Sequence, residues 1–260
     1  MDMFVADKNF PWSSKYNPES DKPFIMSRSK IDLYLKCKRC AYLDMRLGIK
    51  GPKPFPYNLN SRIDYLLKVE HDIAREKKEK TKYLEECNID AIPYSHPELD
   101  VWREPFKAAR YHHKDTNIVV AGSVDDLWED NESKKIHIVD YKSTHTENFE
   151  RLKNFDAPYL IGYKRQAEIY AWILSKLGLN IHQTSYFLYV NATLEQKTFN
   201  NKLDFEYALI PYEMRDFNWV EDTIIEIKNF LETNKIPAAT NDCELCKYMH
   251  KFFEFIKKKN

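Results

Sequence analysis

The chain has 260 residues, with 40 Lys+Arg against 40 Asp+Glu, so its formal charge is zero and no global basic field advertises nucleic acid. Seventeen Tyr, 15 Phe and 5 Trp beside only 5 Gly describe a compact globular chain long enough for one sizeable core. No window approaches the ~20 apolar residues of a membrane helix, and the start, with Asp2 and Asp7, lacks the form of a secretion signal, so a cytoplasmic protein with no membrane partner is expected.

In chain order, residues 1–22, broken by Pro11 and Pro18, read as an arm that lies over the surface or is partly disordered. Ser27 or Ser29 can cap a helix beginning near Lys30, with Ile31, Tyr34 and Leu35 at helical spacing. Cys37 and Cys40 follow it. Gly51–Pro56 is a proline-rich link, and Leu59 to Lys77 reads as a long amphipathic helix carrying Asp64 and His71. Residues 80–115 mix short helical pieces with Pro93, Pro97 and Pro105. Cys87 reads there as a structural or surface thiol. His112 and His113 are neighbours that point apart on a strand, which favours an ordinary aromatic cluster over a metal pair. The basic runs from Arg75 to Lys82 and from Lys257 to Lys259 are the candidate local nucleic-acid patches, though a solvated helix face is the better reading of either.

Two stretches carry chemistry. Gly122-Ser123-Val124-Asp125-Asp126-Leu127-Trp128 and Lys135 to Lys142 each read as a strand, with Asn131, Glu132 and Ser133 as a turn between them. Period-two alternation sends Asp140 and Lys142 to the same side. If the strands pair as a hairpin, Asp125 can face the same space. Two clustered carboxylates repel unless a cation lies between them, and hard divalent ions prefer oxygen ligands, so the constellation suggests a metal-assisted hydrolase.

A polar loop follows, with Thr144, His145 and Thr146 near the strand end. Pro158 then leads a helix to about Leu177, in which Ile161, Ile169, Trp172, Ile173 and Leu177 are expected to pack inward and Gln166 and Tyr170 share a face. Thr184–Val190 and Phe205–Pro211 read as strands, and Trp219–Glu232 as an amphipathic helix with Ile224, Ile225, Ile227 and Phe230 apolar. The fold class is α/β, a mixed sheet flanked by helices. Near the end, Cys243-x-x-Cys246 supplies a second chelating pair. With Cys37-x-x-Cys40 it gives four soft ligands, enough for a tetrahedral zinc or an iron-sulfur cluster in a reducing compartment.

The ordered series Gly122-x-x-Asp125, Asp140-x-Lys142 and Gln166-x-x-x-Tyr170 resembles the PD-(D/E)XK nuclease superfamily, in its RecB-type branch. The run from Ser27 to Cys37 resembles that branch's opening helix, with Lys38 where a proline is usual. The resemblance implies a restriction-endonuclease-like core with an N-terminal helical lobe and a C-terminal cysteine-bearing tail. It implies Asp125 and Asp140 as ligands of Mg2+ or Mn2+, Lys142 as the residue that positions the attacking water, and Gln166 and Tyr170 as supports of the site. Where relatives carry a helical His that joins the metal, Asp64 stands in register, with His71 competing. Several RecB-type nucleases, helicase-nuclease subunits and CRISPR-associated ones among them, hold an iron-sulfur cluster with one cysteine before the core and three after it. Cys37, Cys243 and Cys246 match that arrangement, and Cys40, or as second choice His250, would supply the fourth ligand; zinc is the alternative.

The implied activity is exonuclease-like cleavage of DNA in repair, recombination or defence, on single strands or ends, with a helicase or other repair or defence protein as a possible partner. A catalytically silent DNA-binding or scaffolding module is the alternative, and a zinc-stapled structural protein a third reading. Residues 23–260 are expected to form a single nuclease domain: a helical part 23–115, a catalytic core 116–212 and a C-terminal helix with cysteine tail 213–260.

Overall fold

The structure, a computed structural model, describes residues 15–52, 57–154, 157, 160–193, 195 and 197–259. Most of the expected N-terminal arm, part of the proline-rich link and Pro158 therefore lie outside the described residues. In chain order the elements are β1 (Phe24–Ser27), α1 (Arg28–Lys36), α2 (Lys38–Met45), α3 (Asn58–Lys77), α4 (Lys82–Glu86), β2 (Ala91–Pro93), α5 (Leu99–Arg103), β3 (Ala109–His113), β4 (Ile118–Gly122), β5 (Asp126–Asp130), β6 (Ile136–Thr144), α6 (Phe149–Lys153), α7 (Ile161–Lys176), β7 (Thr184–Ala192), β8 (Phe205–Glu213), α8 (Trp219–Glu232) and α9 (Glu244–Lys259). They divide into two compact units, one of residues 1–54, 110–121 and 218–260, the other of residues 55–109 and 122–217.

The first unit holds a three-stranded sheet in the order β1-β4-β3, with β1 parallel to β4 and Phe24 beside Ile118. Ile118-Val119-Val120-Ala121-Gly122 is buried along its whole length, the signature of a strand covered on both faces. Helix α1 starts two residues earlier than the spacing predicts. Ser27 takes the capping position in extended backbone, but its hydroxyl bonds Ser29 Oγ at 2.8 Å instead of a helix N–H. His113 Nε2 donates to Glu221 at 2.6 Å and its Nδ1 bonds Thr116 Oγ1 at 2.8 Å, while His112 Nε2 donates to Asn117 Oδ1 at 3.0 Å, so each of the two neighbours has its own protein partner. In α8, Ile224, Ile227 and Leu231 are buried one turn apart, and Ile225, expected among the apolar set, faces outward at 44% exposure.

The second unit is organised by a five-stranded mixed sheet, β2-β5-β6-β7-β8, antiparallel except for the parallel β6–β7 pair. The β5–β6 hairpin turns at residues 131–133 as the sequence suggests. Its first strand, however, does not run unbroken from Gly122. Gly122 closes β4, which belongs to the other sheet, and β5 starts only at Asp126. The backbone between them is used elsewhere: Val124 N–H donates to the Trp102 carbonyl at 3.3 Å, and Arg103 Nε donates to the Asp125 carbonyl at 3.0 Å. Helix α5 thus takes groups that would continue a ladder.

One face of this sheet packs Trp128, Val139, Tyr141, Tyr186, Leu188 and Val190 with Leu67 of α3 and with Tyr83 and Leu84. In α7, Ile169, Trp172 and Ile173 are buried, whereas Ile161 and Leu177, at the two helix ends, are 49% and 36% exposed and do not pack inward as expected. Arg75, read in the sequence as the start of a basic surface run, turns inward instead, donating to the Tyr94 carbonyl at 2.8 Å and pairing with Asp126. A mixed α/β architecture with sheets flanked by helices, compatible with a restriction-endonuclease-like fold, is what these residues build.

Candidate functional site

A cleft of about 440 Å³ opens in the second unit, lined among others by Asp64, Lys68, Arg103, Asp125, Lys142, Gln166 and Tyr170. Its floor depends on a glycine. A Cβ on Gly122 would lie 2.5 and 2.6 Å from two ring carbons of Tyr170 and 3.2 Å from Ile173, closer than side chains pack. Only a residue without a side chain lets the α7 tyrosine lie against this point of the chain. Gly122 and Tyr170 therefore answer each other across 48 residues, a coupling that the sequence motifs alone do not disclose.

The register sets Asp126 opposite Val139 at the start of β5, and Asp125, one residue before it, reaches the Tyr141 N–H of β6 and, like Asp140, acts on the Lys142 ammonium. Asp140 is 2% exposed. Its Oδ1 accepts from Gln166 Nε2 at 2.7 Å, and it pairs with Lys142. Gln166 Nε2 also donates to the Tyr170 hydroxyl at 3.1 Å, which fixes the amide. Burial works against the charge on Lys142, but Asp140 and Asp125 more than offset it, so its pKa is raised and it stays protonated. The Tyr163 ring lies 4.7 Å from its Nζ, adding a cation–π contact.

Asp125 Oδ2 accepts the backbone N–H of Tyr141 at 3.0 Å, and its Oδ1 accepts from Lys68 Nζ at 3.3 Å. Lys68 reaches Asp64 Oδ2 at 2.8 Å as well. Burial and then the charge of Asp125 raise the Asp64 pKa. Three carboxylates and two ammoniums thus converge. The donor set is all oxygen, and carboxylate repulsion of the kind that raises the Asp64 pKa is what a hard divalent cation relieves. Asp64, Asp125 and Asp140 are the residues that could hold one.

His71, the competitor of Asp64, is fully buried away from this set. Its Nδ1 donates to the Leu67 carbonyl at 2.8 Å, and its ring stacks on Tyr83 and Trp128 with centroids 5.6 Å away in each case. Burial lowers its pKa. His145 Nδ1 donates to the Ala192 carbonyl at 3.0 Å and Thr146 N–H to Asn191 Oδ1 at 2.9 Å, tying the segment that follows β6 to the end of β7.

Beneath the cleft lies a network that the sequence reading missed. Asp126 points to the opposite face from Asp125 and is completely buried, where Arg75, Arg103 and the Tyr141 hydroxyl (2.6 Å) satisfy it. Asp72 accepts two bonds from Arg103, at 2.8 and 3.0 Å, and pairs with Arg75. Two guanidiniums around one buried carboxylate make its burial tolerable. The signal available in the sequence was the doublet Asp125-Asp126, whose second member period two sends into the core.

In the first unit, Cys37, Cys40, Cys243 and Cys246 come together with all four sulfurs within 4.8 Å of one another. Cys40 lies 3.5 Å from both Cys243 and Cys246, and Cys37 lies 3.9 Å from Cys246. Thiolates 2.3 Å from one tetrahedral ion stand about 3.8 Å apart, so this set fits a single ion. Despite its burial, Cys37 is drawn down to about 6, because backbone N–H groups of Cys40 and Thr240 and the thiols of Cys243 and Cys40 stabilise its thiolate. His250, the second choice for the fourth ligand, is exposed and sits 3.6 Å from Glu254. Cys87 is exposed and takes no part in the group.

No helix among the described residues is long and apolar enough to cross a membrane. No curated protein matches the chain. The crystal structure of SSO0001 is similar at 14% identity and a TM-score of 0.31, over 82% of this chain and 79% of that one. The profile of the PD-(D/E)XK nuclease superfamily matches residues 58–250, a span that takes in the whole cleft and two of the four clasp cysteines, and the chain belongs to that superfamily.

Proposed function

We propose that the cleft hydrolyses phosphodiester bonds of DNA with the help of Mg2+ or Mn2+. The observation that carries this reading is the convergence on Lys142 of two carboxylates, Asp140 from the same strand face and Asp125, held by the Tyr141 N–H. A divalent ion held by Asp125 and Asp140, with Asp64 as a third ligand, supplies Lewis-acid polarisation of the phosphate and a more acidic attacking water. The chain does the rest. Gln166 holds the Asp140 carboxylate in one orientation, Tyr170 holds Gln166, and the Tyr141 N–H holds Asp125. Lys142, kept charged by its neighbours, positions the water and offsets the negative charge that develops at the phosphate. The hydrogen-bonded Gln166 and Tyr170 behind Asp140 support the RecB-type branch, in which single strands or ends and a helicase or defence partner are the first candidates. The presence of Asp125, Asp140 and Lys142 argues against the silent-module alternative.

For the cysteine clasp, the Cys40–Cys243, Cys40–Cys246 and Cys37–Cys246 sulfurs, 3.5–3.9 Å apart in a set all within 4.8 Å, support one tetrahedral ion, zinc before iron. An iron-sulfur cluster, the reading that resemblance favours, binds each thiolate to an iron of its own in the four-iron form and so holds the sulfurs farther apart than a single ion does. Metal analysis of protein purified without air decides this: one zinc per chain is expected, and iron with equimolar sulfide overturns it. The nuclease reading is tested by incubating the same protein with end-labelled linear and circular single-stranded DNA. Cleavage that needs Mg2+ or Mn2+ and stops with chelator is expected. No cleavage of either DNA by folded protein that still binds it would transfer the assignment to the silent module.

A further inference from the structure

Lys68 belongs to none of the motifs, yet it stands at the centre of the carboxylates. It sits four residues after Asp64 on α3, so the two share a helix face. Its ammonium lies 2.8 Å from Asp64 Oδ2 and 3.3 Å from Asp125 Oδ1, bridging residues 61 positions apart. The other Asp125 oxygen is occupied by the Tyr141 N–H, so the oxygen that Lys68 takes is the one turned to the cleft. Its side chain is 19% exposed and lines that cleft.

Resting on the nuclease reading of this site, we propose that Lys68 is a resident counter-ion. Its ammonium occupies the place between Asp64 and Asp125 that a divalent cation takes, and the arriving ion displaces it toward the phosphate of the substrate. A monovalent and a divalent cation compete here because both seek the same two oxygens and repel each other at contact distance. In the metal-free cleft, Asp64, Asp125 and Asp140 face Lys68 and Lys142 and leave one net negative charge. A divalent ion turns that into one net positive charge, which a phosphodiester then cancels. The four-carbon stem of Lys68 allows the swing without moving α3, whereas Lys142 is tied between Asp140 and the Tyr163 ring. Asp64 and Asp125 are thereby kept from repelling each other before metal arrives.

The test is Mn2+ binding without DNA, read from the free Mn2+ signal in electron paramagnetic resonance, for wild type, Lys68→Met and, as a second uncharged variant, Lys68→Gln. Both variants are expected to bind Mn2+ roughly tenfold more tightly than wild type, because a competing cation is gone. At saturating Mn2+ the same variants should show a raised KM for DNA with a smaller change in kcat, the mark of a lost phosphate contact. A purely structural lysine would leave Mn2+ affinity unchanged or weaken it, and either result overturns the proposal, as does absence of Mn2+ binding in all three proteins. Wild type that binds Mn2+ and cuts no DNA would instead sink the nuclease reading, while the affinity difference would still decide the role of Lys68.

Discussion

On the reading proposed above, the carboxylate cleft and the cysteine clasp would each hold a cation, and by opposite means. The cleft draws hard oxygen ligands from a hairpin and one helix, leaves them facing an open volume, and balances them with lysines. The clasp draws soft sulfur ligands from positions as far apart as Cys37 and Cys246, in a set whose Cys37, Cys40 and Cys246 are buried and whose Cys243 is half-buried. An exchangeable site needs access and provisional neutralisation; a permanent one needs enclosure and complete ligation. Loss of the first should remove activity and spare the fold, and loss of the second should do the reverse.

The largest effect is expected at Asp140. Asp140→Asn keeps the shape but removes the ligand charge, and DNA cleavage should fall at least about a hundredfold in a steady-state assay with Mn2+, with thermal unfolding little changed. Cys246→Ser sharpens the contrast from the other side. It should lower stability by several kcal/mol, because ion binding is folding free energy at such a site, while cleavage per folded molecule is retained; urea titration followed by a cleavage assay checks both halves. Gly122→Ala lies between the two regimes. The added methyl must displace the Tyr170 ring, an overpacking worth about 1–3 kcal/mol, visible as a lower urea midpoint together with reduced activity.

The smallest effect concerns pH and leaves both cation sites alone. Burial lowers the pKa of His71 below its unfolded value near 6.5. The unfolded chain therefore binds more protons, and the stability that neutral His71 contributes is complete above about pH 6.5 and is lost as pH falls toward the folded value. His71→Phe should flatten that decline between about pH 6.5 and 5 in denaturant titrations; an unchanged slope would assign the acid sensitivity to other groups.

Much of this arrangement was legible in the sequence for local reasons. Period two alone puts Asp140 and Lys142 on one side, and helix spacing alone puts Gln166 and Tyr170 on one face. Two Cys-x-x-Cys pairs name their own ligand count, and Cys40 joins the clasp as that count implies. The rest depends on non-local packing. Asp64 and His71 are seven residues apart, two turns on the same side of α3, so periodicity cannot separate them; the stacking of Tyr83 and Trp128 on His71 does. Lys68 looks like an ordinary helix ion pair until Asp125 arrives from 57 positions away. Arg75 looks like surface charge until Asp126 is seen buried beside it. The break before β5 is equally invisible, since it depends on Trp102 and Arg103 of α5.

The measurement that bears most directly on the central claim is single-turnover cleavage of linear single-stranded DNA at saturating Mn2+ by wild type and Lys142→Ala, with Mn2+ binding followed on the same samples. The cleft chemistry predicts that the variant still binds Mn2+ through Asp125 and Asp140 but cleaves at least about a hundredfold more slowly, because the charge that offsets the developing phosphate anion is gone. A variant that binds metal and cleaves as fast as wild type would contradict the assignment of this cleft as the hydrolytic site.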